Sequence, residues 1–270
     1  MKLNIIILIT ILSVIISCKK EKNTIDNEQV YITIPIDSKV IINPIEYLND
    51  KGNNFEIFCY TEKIYGARCF RIVGDFSFTD SIINIEFKGV SYPANLGCSD
   101  SPGPAWYRAE LEVFPVKNYT LNIYLYNQQI KGTIIVSDTN YVLHLDSNEY
   151  VDIDRNQLNR MHPNTIWGYI HSYNVQFDYV ISSFMDSLKA LGAVEKKYPI
   201  GEYTYFFINN QHQIFSYDII PEEYFLYELA NANEVLPDLV TWVRKEFNPS
   251  GISGSHKGYV MIYDSFGNSY

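Results

Sequence analysis

From Val30 to Leu145 the chain alternates short runs rich in Val, Ile, Tyr and Phe with turn residues, and no amphipathic helical stripe intervenes. Strict period-two alternation is clearest where Ile83, Ile85 and Phe87 interleave with Asn84, Glu86 and Lys88. It returns where Tyr119, Leu121, Ile123 and Leu125 interleave with Thr120, Asn122, Tyr124 and Tyr126. Side chains on a strand point to opposite faces in turn, so such a pattern puts one face in a core and leaves the other wet. Strands are expected over 30–35, 39–43, 55–60, 68–78, 82–91, 106–114, 119–126, 130–136 and 141–145. A stretch built only of half-wet strands must bury its apolar face against more sheet.

After Asp146 the texture changes. Residues 147–163 are polar and end at Pro163, which marks them as a linker or an irregular entry to the second half. Then strand and helix alternate. TIWGYIHS at 165–172 is a strand, and Phe177, Val180, Ile181, Phe184, Leu188 and Leu191 fall on one helical stripe that Gly192 stops. Strands at 203–208 and 213–217 around the turn NNQH make a hairpin. A helix is expected from Glu222, broken by Pro237, and a last strand at 259–263.

The 270 residues carry 21 Lys and Arg against 31 Asp and Glu, a formal charge of -10. Neither half has a basic stripe, which argues against nucleic acid as a partner. Three cysteines, Cys59, Cys69 and Cys98, fall in the first half. One disulfide among them is expected, either across a hairpin between Cys59 and Cys69 or from Cys98 to one of these. Three buried thiols are the alternative. Metal binding is not expected, because no C-x-x-C spacing exists and His144, His162, His171, His212 and His256 are scattered. Asp152, Asp154 and Asn156 imitate the start of a calcium loop, but Gln157 stands where its glycine belongs.

The first eighteen residues place the chain. Lys2 precedes an almost unbroken apolar run from Leu3 to Ile16, too short for a membrane span but right for a signal peptide. Ile15-Ile16-Ser17-Cys18 resembles the bacterial lipobox, departing modestly from its commonest form, which carries Leu where Ile15 stands. The resemblance implies that residues 1–17 are removed, that Cys18 is acylated, and that 18–27 form a tether on a lipid-anchored protein of the bacterial cell envelope, at the outer membrane. The strand pattern of 28–146 resembles an all-β immunoglobulin-like sandwich. The order strand, helix, strand, strand, helix, strand over 164–270 resembles an α+β ferredoxin-like (βαββαβ) domain. Two domains are therefore expected.

No residue pattern assigns catalysis or a cofactor. GISGS at 251–255 misses the register of G-x-S-x-G, and phosphate-cradling glycine motifs are missing. The balance is towards a non-enzyme. The surplus of 23 Tyr and 15 Phe suits recognition as well as packing. Trp106 and Tyr107, beside the rigid GPA segment, and Trp167 and Tyr169, on the first strand of the second half, are the expected ligand-binding positions. The function expected is a non-catalytic envelope lipoprotein that binds or assembles with a protein partner. Capture of a glycan or peptide is the alternative, and a hydrolase of unrecognised type stands third. The anchor gives the first test: Cys18→Ser should release the protein from membranes or leave an unprocessed precursor, and unchanged mass with unchanged attachment would refute the acylation.

Overall fold

The structure, a computed structural model, describes residues 30–49, 52–94, 101–111, 114–216, 223–248, 257–265 and 268–270. Strand accounts for 55% of it and helix for 15%, so the helices are accessories to sheet. The first half contributes β1 (Tyr31–Ile34), β2 (Val40–Asn49), β3 (Gly52–Tyr65), β4 (Arg71–Thr79), β5 (Ile82–Pro93), β6 (Gly103–Leu111), β7 (Asn118–Leu125), β8 (Gln128–Val136) and β9 (Asn140–Leu145). Residues 147–163 add β10 (Val151–Ile153) and β11 (Gln157–Asn159) to the same sheet.

The immunoglobulin-like sandwich is not what these strands build. They form one mixed sheet in the order β10-β2-β3-β6-β4-β5-β7-β8-β9-β11, curled into a half-barrel, with β1 paired to the far end of β5. Alternation reports that one face is apolar, and it does not report whether that face meets a second sheet or its own continuation. Here it meets its own continuation: Phe55 on β3 lies 4.6 Å, centroid to centroid, from Tyr141 on β9, and Phe114 stacks on Phe55 at 5.0 Å. Register shifts at Val73/Gly74 and Tyr60/Ile64 supply bends. Gly74 is required at the first of these, since a Cβ there would sit 2.6 Å from the Glu86 carbonyl oxygen. The inward rows Phe55, Ile57, Cys59 and Ile83, Ile85, Phe87 fill the core.

The expected separate ferredoxin-like domain is corrected too. The second half runs β12 (Thr165–Ser172), α1 (Asp178–Ala190), β13 (Val194–Glu195), β14 (Gly201–Glu202), β15 (Phe206–Ile208), β16 (Ile214–Ser216), β17 (Glu223–Glu228), α2 (Ala232–Phe247) and β18 (Gly258–Asp264). β13, β17, β12 and β18 form a four-stranded sheet, while β14, β15 and β16 form a second sheet of their own. The second sheet packs into a core that also takes Leu48 from the half-barrel and Met161 from the connection, so this half is not a self-contained six-element unit. The helix expected from Glu222 is strand β17 at Glu223–Glu228. Its residues are apolar on both faces, with Phe225 and Tyr227 under the helices and Leu226 on the opposite side, which erases the period-two signal. Pro237 consequently falls inside a single helix, α2, instead of between two.

α1 and α2 cover one face of the four-stranded sheet. Val180, Ile181, Phe184 and Leu188 of α1 meet Ile166, Phe225 and Ile262 of the sheet, and Phe184 is edge-on to Phe225 at 5.3 Å. Truncating a fully buried Phe costs about 3 to 5 kcal/mol. Phe184→Ala should therefore lower the thermal midpoint of the whole chain strongly, and Ser182→Ala on the exposed side of α1 should leave it nearly unchanged. Equal midpoints would contradict this packing.

Candidate functional site

The face of the four-stranded sheet opposite the helices is aromatic. Ile166 and Ile170 of β12 point to the helices, so Trp167, Tyr169 and His171 point the other way, joined there by Tyr259 and Tyr263 of β18. Trp167 is stacked between Tyr205 at 5.3 Å and Tyr263 at 5.7 Å, each 16° from parallel. Tyr169 meets Tyr224 and Tyr259 edge-on at 6.2 and 5.7 Å. Burial, and then the neighbouring Tyr263, Tyr259 and Tyr224, push the Tyr169 hydroxyl up to about 12. Gly168 lies between the two rings, and a hollow of about 130 Å³ opens there, walled by Trp167, Tyr169, Tyr205, Phe206, Tyr224 and Tyr263.

The hollow adjoins a larger cleft of about 870 Å³ through their shared residues Ile214 and Tyr224. One wall is the hairpin β15–β16, whose cross-strand pair Phe207 and Phe215 stacks at 5.2 Å and 14°. The other wall is Tyr198 with Tyr224 and Leu226 of β17. Tyr198 is held by a 2.7 Å hydrogen bond between its hydroxyl and that of Thr165, and burial pushes it up to about 12. Glu195, Lys196, Lys197, His212 and Glu223 edge the opening, with Lys196 bonded to Glu228. β13 pairs with β17 only at Glu228 and Tyr227, so Glu223–Leu226 runs past the end of β13 along the cleft. The arrangement offers flat apolar rings inside and charges of both signs outside. Among the described residues no group of three His, Cys, Asp or Glu side chains is placed to hold a metal ion.

Of the four positions expected from the sequence, Trp167 and Tyr169 fall in this aromatic face and Trp106 and Tyr107 do not. Trp106 and Tyr107 are neighbours on β6 and so project to opposite faces of the half-barrel. Tyr107 points inward, edge-on to Phe87 at 6.1 Å, while Trp106 lies outside beside Phe58. The guanidinium of Arg71 sits 3.9 Å from the centroid of the Trp106 ring and covers it. Tyr198, Phe207, Phe215 and Tyr224 are the residues that sequence reasoning missed. The signal available was the pair of short aromatic runs, FFI and IFS, flanking the expected turn.

Cys59 is a free thiol buried in the half-barrel core, where burial pushes its pKa well up. Cys69 is disulfide-bonded. Cys18 and Cys98 lie outside the described residues, as does GISGS at 251–255. No family model, curated protein or solved structure matches the chain.

In the half-barrel, Glu56 is 2% exposed on the outer side of β3, with one oxygen 3.3 Å from Arg108 and the other without a hydrogen-bond partner. Burial outweighs Arg108 and raises its pKa. An acid whose folded pKa is raised costs the fold stability, and that loss sets in as pH rises past the unfolded value and is complete above the folded one. Glu56→Gln should thus raise the unfolding midpoint at neutral pH, with the gain vanishing as pH falls below about 4. A gain equal at both pH values would contradict the burial argument.

Proposed function

We propose that the chain is a non-catalytic, lipid-anchored module of the cell envelope that holds an extended peptide segment of a protein partner in the cleft between β15–β16 and β17. The observation that carries this reading is the aromatic slot itself, with Phe207 and Phe215 on one wall and Tyr198 and Tyr224 on the other. Its volume falls in the range of about 300 to 1,000 Å³ that ligand sites occupy. Rigid rings bury much area at little entropic cost, which is why aromatic residues dominate binding energetics. The rim carries Lys196 and Lys197 as well as Glu195 and Glu223, a mixture that suits the alternating charges of a peptide better than a ligand of one sign. The strand segment running past β13 lets an extended chain lie parallel to it.

A saccharide is the second reading, favoured by the flat half-exposed ring of Phe215. The Trp106 surface supports it less, since Arg71 already occupies that ring. Selection from a random peptide library on the immobilised chain should return one sequence class. Its affinity should fall about tenfold or more in Phe215→Ala, a loss of about 1.4 kcal/mol. A library that returns nothing, with a glycan array whose signal disappears in the same variant, would transfer the cleft to the saccharide reading.

A further inference from the structure

We infer that the half-barrel stands with one particular end on the lipid bilayer, the end where β1 begins, and that it touches lipid through an apolar rim there. The inference rests on the reading of Cys18 as the anchor. At this end Val30, Tyr31 and Ile32 are 60%, 58% and 41% exposed, although they open a strand. The ladders bring Ile64, 59% exposed, to the same end: β1 pairs Tyr31 with Pro93 at the end of β5, and β3 pairs Ile64 with Pro104 at the start of β6. Arg68 is exposed close by and Arg71, Lys63 and Lys39 are adjacent, while Asp37, bonded to Lys63, Asp152, paired with Lys39, Glu62 and Glu149 are the acidic neighbours. The rim is therefore apolar with a tyrosine and close to charge balance, on a chain whose formal charge is -10. Tyrosine and arginine at the edge of an apolar patch suit the headgroup region.

The opposite end of the half-barrel also carries exposed apolar residues, Phe78 at 38%, Ile82 at 46% and Val116 at 51%. Two observations separate the ends. Residues 19–29 are all that lies between Cys18 and Val30. Eleven residues of random-coil chain have a root-mean-square span of about 20 Å, whereas the twelve residues of β5 separate the two ends by about 40 Å. The far end is also the one that meets the second half, since the Leu48 amide donates to the Ser265 carbonyl at 3.2 Å and the Glu46 amide to the Thr204 hydroxyl at 2.8 Å. A half-barrel standing on its β1 end thus carries the cleft away from the membrane, where a partner can reach it.

The test replaces residues 1–18 by a polyhistidine tag and docks the chain from Lys19 onward on vesicles containing nickel-chelating lipid, so that attachment does not depend on Cys18. An environment-sensitive fluorescent amino acid is placed singly at position 32, 64 or 116, all exposed, and the acyl chains carry a quencher. The inference predicts quenching of severalfold at 32 and 64 and none at 116. Unquenched probes at 32 and 64, or equal quenching at 116, would overturn it. Failure of acylation would register separately, as a Cys18→Ser variant indistinguishable from the parent chain.

Discussion

One buried carboxylate ties the half-barrel to the connection that leads into the second half. Glu46 stands on the inner side of β2 and is 1% exposed, where an unpaired charge would cost several kcal/mol. Three groups from distant parts of the chain answer it. The Tyr141 hydroxyl donates to one oxygen at 2.8 Å, the Met161 amide to the other at 2.5 Å, and the Arg160 guanidinium lies 3.5 Å away. Arg160 is itself fixed by a 2.9 Å bond to the Ser137 carbonyl and by the Tyr141 ring beneath it. One side chain therefore pins β2, β9 and the end of the connection, just before β12, to a common point. Around it Leu48, Met161, Trp167, Tyr203 and Phe206 form an apolar cluster that belongs to neither half alone.

The consequences run outward from that point. The connection 147–163 cannot be a loose linker, because β10 and β11 complete the two edges of the curled sheet and Met161 feeds the junction. With the connection held, the sheet β14–β16 lies against the aromatic face of the four-stranded sheet, and Trp167 is stacked between Tyr205 of the one and Tyr263 of the other. The cleft proposed to bind a peptide is the space left beside that contact. Two of its walls are fixed by their own contacts, Phe207 stacked on Phe215 and Tyr198 hydrogen-bonded to Thr165, and rings positioned before a ligand arrives leave less ordering entropy to oppose binding.

Much of the local structure was legible in the sequence. The alternating runs at 83–87 and 119–125 are strands, the stripe from Val180 to Leu188 is a helix, and NNQH is the turn of a hairpin. The arrangement was not, and the reasons are physical. Alternation gives a face without naming what covers it, so a curled sheet and a sandwich share one pattern. β17 carries apolar and aromatic residues on both faces, buried under the helices and half-buried along the cleft, and so lost its period. Glu46 carries no mark in VIINPIEYLN, since nothing local announces that Tyr141 and Met161, about a hundred residues away, supply its donors. At the site, Trp167 and Tyr169 were legible through residue type, while Phe207, Phe215 and Tyr198 were not, because their use depends on a hairpin folding back over a different sheet.

The claim that Glu46 couples the two halves is tested most directly by amide hydrogen exchange in Glu46→Leu. The substitution strips the donors of their acceptor and leaves Arg160 without its carboxylate, at a cost of about 3 to 5 kcal/mol. Exchange reads such a cost as local loss of protection. The account predicts that β12 and β14–β16 exchange at least a hundredfold faster while β5 and β7 stay protected. An unchanged protection pattern in β12 and β14–β16 would contradict it.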